Sequence, residues 1–183
     1  GSLKAKLCLE GSKLLYSYCE DKNIFFKKTG KLIIAANKDE HNSLKNLYKK
    51  GLDNGVDLQI LNKNEVQEFE PSINCYSAIF SPNSGIVDVP EYINALEFDI
   101  QNLGGLISHK TEFLSAQRKK SEIEAIAFSD EKVSIFCDYL INSSGLGSYE
   151  TLNNIRSLDK KYIERIYYGK GHYFKYHGKN PFS

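Results

Sequence analysis

The sequence lacks an apolar run of about 18 residues or more, so no transmembrane helix is predicted. Its start has no charged segment followed by an apolar one, so we expect no export signal. Neither sign of charge is in excess: 24 basic residues stand against 23 acidic ones, for a net charge of +1. That balance offers no electrostatic attraction to nucleic acid, and no such partner is expected.

Closely spaced cysteine pairs are also absent, which argues against a structural zinc site. Four scattered cysteines are present: Cys8, Cys19, Cys75 and Cys137. We interpret them as reduced, mostly buried thiols of a cytoplasmic protein rather than as disulfides. His172 and His177 lie close together, but no acidic or thiol ligand accompanies them, so no metal site is predicted.

The composition, 41% hydrophobic and 26% charged, is that of a globular protein. Capping residues followed by apolar residues at helical spacing predict helices that begin after Ser2, Asn37, Asn62 and Asp88. Short apolar runs bounded by turn residues predict strands at 25–26, 32–35 and on both sides of a turn within 78–89. Three further runs predict an antiparallel meander, at 111–116, 123–128 and 133–136. The fold class expected is α+β.

The most informative stretch is 137–146, an apolar run that ends in Asn142 and is followed by Ser143, Ser144 and Gly145. This pattern predicts a buried strand and then a turn whose backbone a ligand can approach closely. Open α/β sheets bind ligands beyond the carboxyl ends of their strands. The alternative is a strand that simply ends in small residues.

Four stretches carry a resemblance to a known family, at Gly1–Cys8, Gly30–Ile33, Ser84–Asp88 and Gly169–Phe174, with Ile141–Leu146 between the last two. In their order and spacing they resemble the flavin-dependent oxidoreductases of the D-amino-acid-oxidase type. Within that superfamily the likeness is to the L-2-hydroxyglutarate dehydrogenase-like branch.

The resemblance implies two interleaved lobes. Residues 1–23 and 88–155 would form an incomplete FAD-binding lobe of α/β type that carries the β-meander. Residues 24–87 and 156–183 would form a substrate-binding lobe with a mixed sheet.

One departure from the family is large, because the three-glycine turn that holds the FAD pyrophosphate is missing. Gly145-Leu146-Gly147 and Gly169-Lys170-Gly171 do not continue to a third glycine. The family's flavin-facing histidine would precede Gly1, and its C-terminal flavin segment would follow Ser183. We therefore expect an internal fragment of a longer protein, with FAD bound by the intact protein and absent from this chain. Catalytic residues are expected outside the chain.

The resemblance also assigns candidate site residues. Those expected to contact the cofactor are Phe113, Asn142, Ser143, Ser144, Gly145 and Leu146. Those expected on the substrate side are Lys4, Lys170, His172 and Tyr173, the last three on a late strand. A core aromatic is an equally good interpretation of the Phe113 side chain, and solvated surface residues are the alternative for Lys4 and His172.

The function implied is an FAD-dependent dehydrogenase that oxidises a small 2-hydroxy acid resembling L-2-hydroxyglutarate. Alternatives are a glycerol-3-phosphate or amino-acid oxidoreductase of the same superfamily, or a non-catalytic interaction module. The partner expected is a small-molecule carboxylate, and the sequence does not identify the electron acceptor. Self-association through apolar surfaces exposed by truncation is a further expectation.

Overall fold

The computed structural model describes residues 2–175 and 177–179. They form two compact units, of which the first comprises residues 2–105 with the described part of 175–183, and the second comprises residues 106–174. These units follow different boundaries from the two lobes that the resemblance implies. The division into lobes stays a prediction.

Four helices of the first unit begin at residues whose side chains accept hydrogen bonds from the first turn. They are α1 (Leu3–Lys22), α2 (Lys38–Asp53), α3 (Lys63–Phe69) and α4 (Val89–Asn102). The N-caps are Ser2, Asn37, Asn62 and Asp88, which confirms the four helix starts predicted from sequence. Such caps satisfy backbone N–H groups that have no partner within the helix.

The strands of the first unit form two antiparallel sheets. One sheet joins β1 (Phe26–Lys27) to β5 (Ile86–Val87). The other has the order β2–β4–β3, with β2 at Lys31–Ala35, β3 at Gln59–Asn62 and β4 at Ser77–Ser81. Every pairing in these sheets is antiparallel, whereas a mixed sheet was expected here.

The core of the first unit lies on both faces of the three-stranded sheet. Ile79 of β4 is fully buried with Ala35 and Leu44, which places α2 on one face. The neighbouring residue of the strand, Ala78, faces the opposite side of the sheet and packs with Val66 of α3. The alternation follows from the two-residue period of a strand, and it makes this part of the unit a three-layer arrangement.

The second unit is built on the predicted meander, which the structure confirms. Its strands are β6 (Glu112–Lys119), β7 (Glu122–Phe128) and β8 (Lys132–Cys137), paired antiparallel in that order. A 3₁₀ turn at Gly145–Gly147 leads into the short helix α5 (Ser148–Asn153). A second 3₁₀ turn lies at Lys160–Tyr162. With the helices and antiparallel sheets of the first unit, this confirms the α+β class.

Two strands expected from sequence do not form. Residues 138–142 follow β8 without regular secondary structure, and Ile141 is 84% exposed rather than buried. The late strand expected around Lys170, His172 and Tyr173 is also irregular, and Tyr173 is fully exposed. Within the second unit neither segment pairs with another strand, and an unpaired strand gains no ladder hydrogen bonds.

The described helices include none that is long and apolar enough to cross a membrane. The four cysteines are free thiols, with Cys19 and Cys75 buried, Cys137 half-buried and Cys8 exposed. Across residues 2–175 and 177–179, no three histidine, cysteine or acidic side chains come together as metal ligands.

Candidate functional site

The turn that follows residue 141 is organised by one side chain, the amide of Asn142. Its Oδ1 accepts hydrogen bonds from the Ser144 backbone N at 3.2 Å and from Ser144 Oγ at 2.7 Å. Its Nδ2 donates to the backbone oxygen of Ser148 at 2.9 Å. A single amide therefore ties the start of the turn to the start of α5, and it fixes the path of the backbone between them.

Two further hydrogen bonds hold this turn against the rest of the second unit. Ser144 Oγ lies 3.0 Å from Thr151 Oγ1 on α5. The Tyr168 hydroxyl donates to the backbone oxygen of Leu146 at 3.1 Å. The turn is thus fixed at its middle and at its end by side chains from later in the chain.

Small side chains leave open space in front of the turn. Gly145 has φ +56°, and a Cβ atom placed there would meet nothing within 4 Å. Ser143 and Ser144 are exposed, as is Leu146. A flat or charged group can therefore reach the backbone here without displacing any side chain of the protein.

Helix α5 connects the turn to the meander. The Ala116 N–H donates to the Asn154 oxygen at 3.2 Å, and the Arg156 N–H donates to the Ala116 oxygen at 2.8 Å. Ala116 belongs to β6, so the segment after α5 extends the sheet by a short parallel bridge. Phe113 lies half-buried on the same strand, opposite Ala127 and beside a β-bulge. Phe113 and the turn are therefore linked through β6 and α5.

The residues expected on the substrate side are not joined to one another. Lys4 is exposed in the first turn of α1, in the first unit. Lys170, His172 and Tyr173 are exposed in an irregular segment of the second unit. Their role stays a prediction, because no hydrogen bond or ion pair among the described residues brings these four together.

The carboxylates with shifted pKa in the second unit belong to surface ion pairs. Hydrogen bonds from Lys119 and Gln117 lower the pKa of Glu124, and the backbone N–H of Lys161 lowers the pKa of Asp159. Both acids stay ionised at neutral pH, and neither hydrogen-bonds to the Asn142 turn. Each forms an ion pair with a lysine, Glu124 with Lys119 and Asp159 with Lys161.

A family model described as FAD dependent oxidoreductase (DAO) matches residues 1–182. The chain belongs to this family. Among curated relatives, L-2-hydroxyglutarate dehydrogenase, mitochondrial, of Nematostella vectensis is 42% identical over 160 residues, which are 81% of this chain and 35% of that protein. L-2-hydroxyglutarate dehydrogenase of Indibacter alkaliphilus is 35% identical over 180 residues, which are 96% of this chain and 43% of that protein.

Solved structures share the fold. L-proline dehydrogenase from P. horikoshii has a TM-score of 0.69 at 18% identity, over 81% of this chain and 40% of that one. L-alpha-glycerophosphate oxidase from Mycoplasma pneumoniae, with FAD bound, has a TM-score of 0.61 at 22% identity, over 72% of this chain and 37% of that one. These likenesses confirm the superfamily fold that the sequence predicted.

The chain spans between a third and a half of the length of these relatives. Several curated relatives are named as mitochondrial. Those names do not confirm the cytoplasmic location predicted from the thiols.

The Asn142 turn leaves room for a flat group, and its contact with FAD stays a prediction. Its open, small-residue backbone admits a flat group, as Gly145 shows. The sequence has no three-glycine turn for the pyrophosphate, so that part of the cofactor finds no cradle of the expected kind in these 183 residues. FAD is the cofactor of the family, and its contact with the turn and with β6 stays a prediction.

Sequence reasoning missed three residues that hold the turn: Ser148, Thr151 and Tyr168. Asn142 and Ser148 are six residues apart, which is close enough in sequence to suggest a local hydrogen bond. Tyr168 lies 22 residues from Leu146 and carries no motif, so no sequence signal indicates its role.

Proposed function

We propose that the protein acts as an FAD-dependent dehydrogenase that oxidises a small 2-hydroxy acid, with L-2-hydroxyglutarate as the leading substrate. The observation that carries the proposal is the set of relatives named L-2-hydroxyglutarate dehydrogenase, at 30 to 42% identity over most of the chain. The Asn142 turn is consistent with it, because the turn presents open backbone where the family resemblance places the cofactor.

In this proposal the turn from Asn142 to Leu146 lies against the FAD, and Asn142 holds the turn in the shape that the cofactor requires. Phe113 contributes the backbone of β6 beside the adenine. When bound, FAD supplies the acceptor for the hydride that leaves the substrate carbon bearing the hydroxyl group. The residues of this chain orient the cofactor and shape the wall that the cofactor contacts.

The substrate carboxylates are assigned in the same proposal to Lys4, Lys170, His172 and Tyr173. Ammonium and phenol groups form strong charge-assisted hydrogen bonds with carboxylates. All four side chains are exposed and therefore accessible to a small acid. The lobes implied by the resemblance, 1–23 with 88–155 and 24–87 with 156–183, provide the cofactor side and the substrate side.

A cytoplasmic location and self-association complete the proposal. Three buried or half-buried free thiols suit a reducing compartment. Helix α4 leaves Ile93, Phe98 and Ile100 substantially exposed, which favours association of copies at high concentration. Light scattering that shows a monomer across a hundredfold range of concentration would count against association.

The test uses protein expressed from the open reading frame that contains these residues, in anaerobic solution. We expect flavin absorbance in the purified protein, and bleaching of that absorbance by L-2-hydroxyglutarate with release of a 2-oxo acid. The D enantiomer, glycerol 3-phosphate and L-proline are tested separately as comparison substrates. If only glycerol 3-phosphate or L-proline bleaches the flavin, the protein catalyses another reaction of the superfamily and the proposal is wrong. A colourless protein that FAD does not reconstitute would support the non-catalytic module instead.

A further inference from the structure

A cavity of about 470 Å³ lies in the first unit where β3 ends and β4 begins. Its polar lining includes His41 from α2, Lys63 from α3 and Tyr76 just before β4, and its apolar lining is Ile60 and Leu61. Three side chains capable of binding a ligand therefore reach one cavity from three different elements. Sites for small molecules combine an apolar wall with a few convergent polar groups in this way.

The imidazole of His41 is held in a fixed orientation. Its Nδ1 lies 2.7 Å from the Oγ of Ser77, a residue that is only 3% exposed. The ring also packs against Tyr76, with 5.3 Å between ring centroids. Since Nδ1 is engaged by a buried hydroxyl, Nε2 is the ring nitrogen left to bind a ligand in the cavity that His41 lines.

The described lining of the cavity contains a lysine, Lys63, and no carboxylate. Lys63 lines this cavity and a neighbouring one of about 410 Å³ that includes Cys75. Its charge lowers the pKa of the Cys75 thiol, although burial is the larger effect and raises that pKa overall. The ammonium group is therefore close to the place where the two cavities meet.

Nearby carboxylates are used elsewhere. Glu40 Oε2 accepts a hydrogen bond from the Ala36 backbone N at 2.7 Å, and Glu65 Oε2 accepts one from the Asn62 backbone N at 2.7 Å. Neither glutamate belongs to the described lining of the cavity. Both glutamates complete helix caps.

We propose that this cavity is a binding site for a small organic acid with an apolar or aromatic body. The carboxylate is bound by His41 Nε2 and the Lys63 ammonium, and the body lies against Ile60 and the Tyr76 ring. Ser77 acts as a positioning residue, since its buried hydroxyl holds the imidazole. None of the residues of this site is among those assigned above to the cofactor or to the substrate of the proposed dehydrogenase.

The test is a titration of the 183-residue protein with sodium benzoate, followed by the histidine side-chain resonances in NMR at fixed pH. His109 and His177 provide internal references in the same spectrum. We expect a saturable shift of the His41 resonance at millimolar benzoate, with the resonances of these two histidines unchanged. His41→Asn identifies the resonance by its disappearance.

Lys63→Gln is the decisive variant, and Lys49→Gln, an exposed lysine of α2, is its matched control. We expect Lys63→Gln to weaken benzoate binding about tenfold and Lys49→Gln to leave it unchanged. Inorganic phosphate and sodium chloride at equal ionic strength are the comparison anions. The proposal is overturned if His41 does not respond to benzoate, if all histidines shift together, if phosphate binds in place of benzoate, or if both lysine variants behave alike.

Discussion

The hydroxyl of Tyr18 donates a hydrogen bond of 2.7 Å to Oδ2 of Asp99, 81 residues further along the chain. Lys22 donates to the other carboxylate oxygen of Asp99, and the Tyr18 ring meets Tyr92 edge-on. One carboxylate on α4 thereby receives two side chains of α1. This cluster fixes the first helix of the unit to its last helix.

Removing the Tyr18 hydroxyl should weaken this attachment. We expect Tyr18→Phe to lower the urea midpoint of unfolding, because the ring contacts remain while Asp99 loses one of its two donors. Tyr162→Phe removes an exposed hydroxyl in the second unit and is the matched control. Equal midpoints for the two variants would show that the hydrogen bond contributes nothing measurable.

Tyr18 and Asp99 also predict how stability depends on pH. Hydrogen bonds from Lys22 and Tyr18 lower the pKa of Asp99. The ionised carboxylate therefore contributes to the free energy of unfolding above the ordinary carboxyl pKa, and this contribution is lost as pH falls through the lowered value. Partial burial and the Asp99 carboxylate raise the pKa of Tyr18 from 10.0 to about 12. The protonated hydroxyl therefore contributes to the free energy of unfolding below the ordinary tyrosine pKa, and this contribution is lost as pH rises through about 12.

Asp99→Asn should therefore flatten the stability profile at both ends. Thermal unfolding followed by circular dichroism from pH 2 to pH 12 measures the two losses. A variant whose profile remains parallel to that of the parent protein would contradict the assignment of these shifts to the Tyr18–Asp99–Lys22 cluster.

The cap of α2 gives a prediction with a close control. Asn37 Oδ1 accepts hydrogen bonds from the backbone N of Asp39 at 3.1 Å and of Glu40 at 3.0 Å. We expect Asn37→Ala to destabilise the protein by about 1 kcal/mol. Asn42→Ala, on an exposed position inside the same helix, should have an effect near zero or slightly stabilising. Chemical denaturation compares the two directly, and similar losses would exclude a capping effect.

Local features of the fold were predictable, and features that depend on distant partners were not. Caps such as Asn37 and Asn62 act on residues two or three positions away, and the meander is set by short turns. The segment 138–142 has the apolar composition of a buried strand, yet a strand forms only where a neighbour supplies its ladder. For that reason the segment is irregular within the second unit.

The candidate site shows the same limit. Sequence alone indicated the small residues of the turn, because Ser143, Ser144 and Gly145 are consecutive. It did not indicate the Tyr168 bond to Leu146 or the His41 bond to Ser77, since each joins residues more than 20 positions apart. Such pairs are determined by the packing of elements, and a single sequence carries no direct record of them.

Gly30 has φ +72°, and a Cβ atom there would lie 2.5 Å from Cε2 of Phe80. Gly30→Ala should therefore destabilise the protein through backbone strain of about 1 kcal/mol and through this clash. Phe80→Leu removes the clashing ring atoms, so Gly30→Ala should cost less in the Phe80→Leu background than in the parent. Gly11→Ala is the control, because nothing lies within 4 Å of the added atom and alanine favours the interior of α1. Additive costs in the double-mutant cycle would contradict the clash.

The proposed role of Asn142 makes a prediction that separates cofactor binding from folding. Asn142→Ala removes three hydrogen bonds that shape the turn, so the backbone loses its fixed path before FAD arrives. We expect the dissociation constant for FAD to rise about tenfold in the protein expressed from the open reading frame, which corresponds to roughly 1.4 kcal/mol. Asn153→Ala is the matched control, since the Asn153 amide bonds only within α5, to the Tyr149 oxygen. Fluorescence titration with FAD measures both variants. If Asn153→Ala weakens FAD binding as much as Asn142→Ala does, the loss reflects general damage to the second unit, and the turn is not the contact surface proposed for the cofactor.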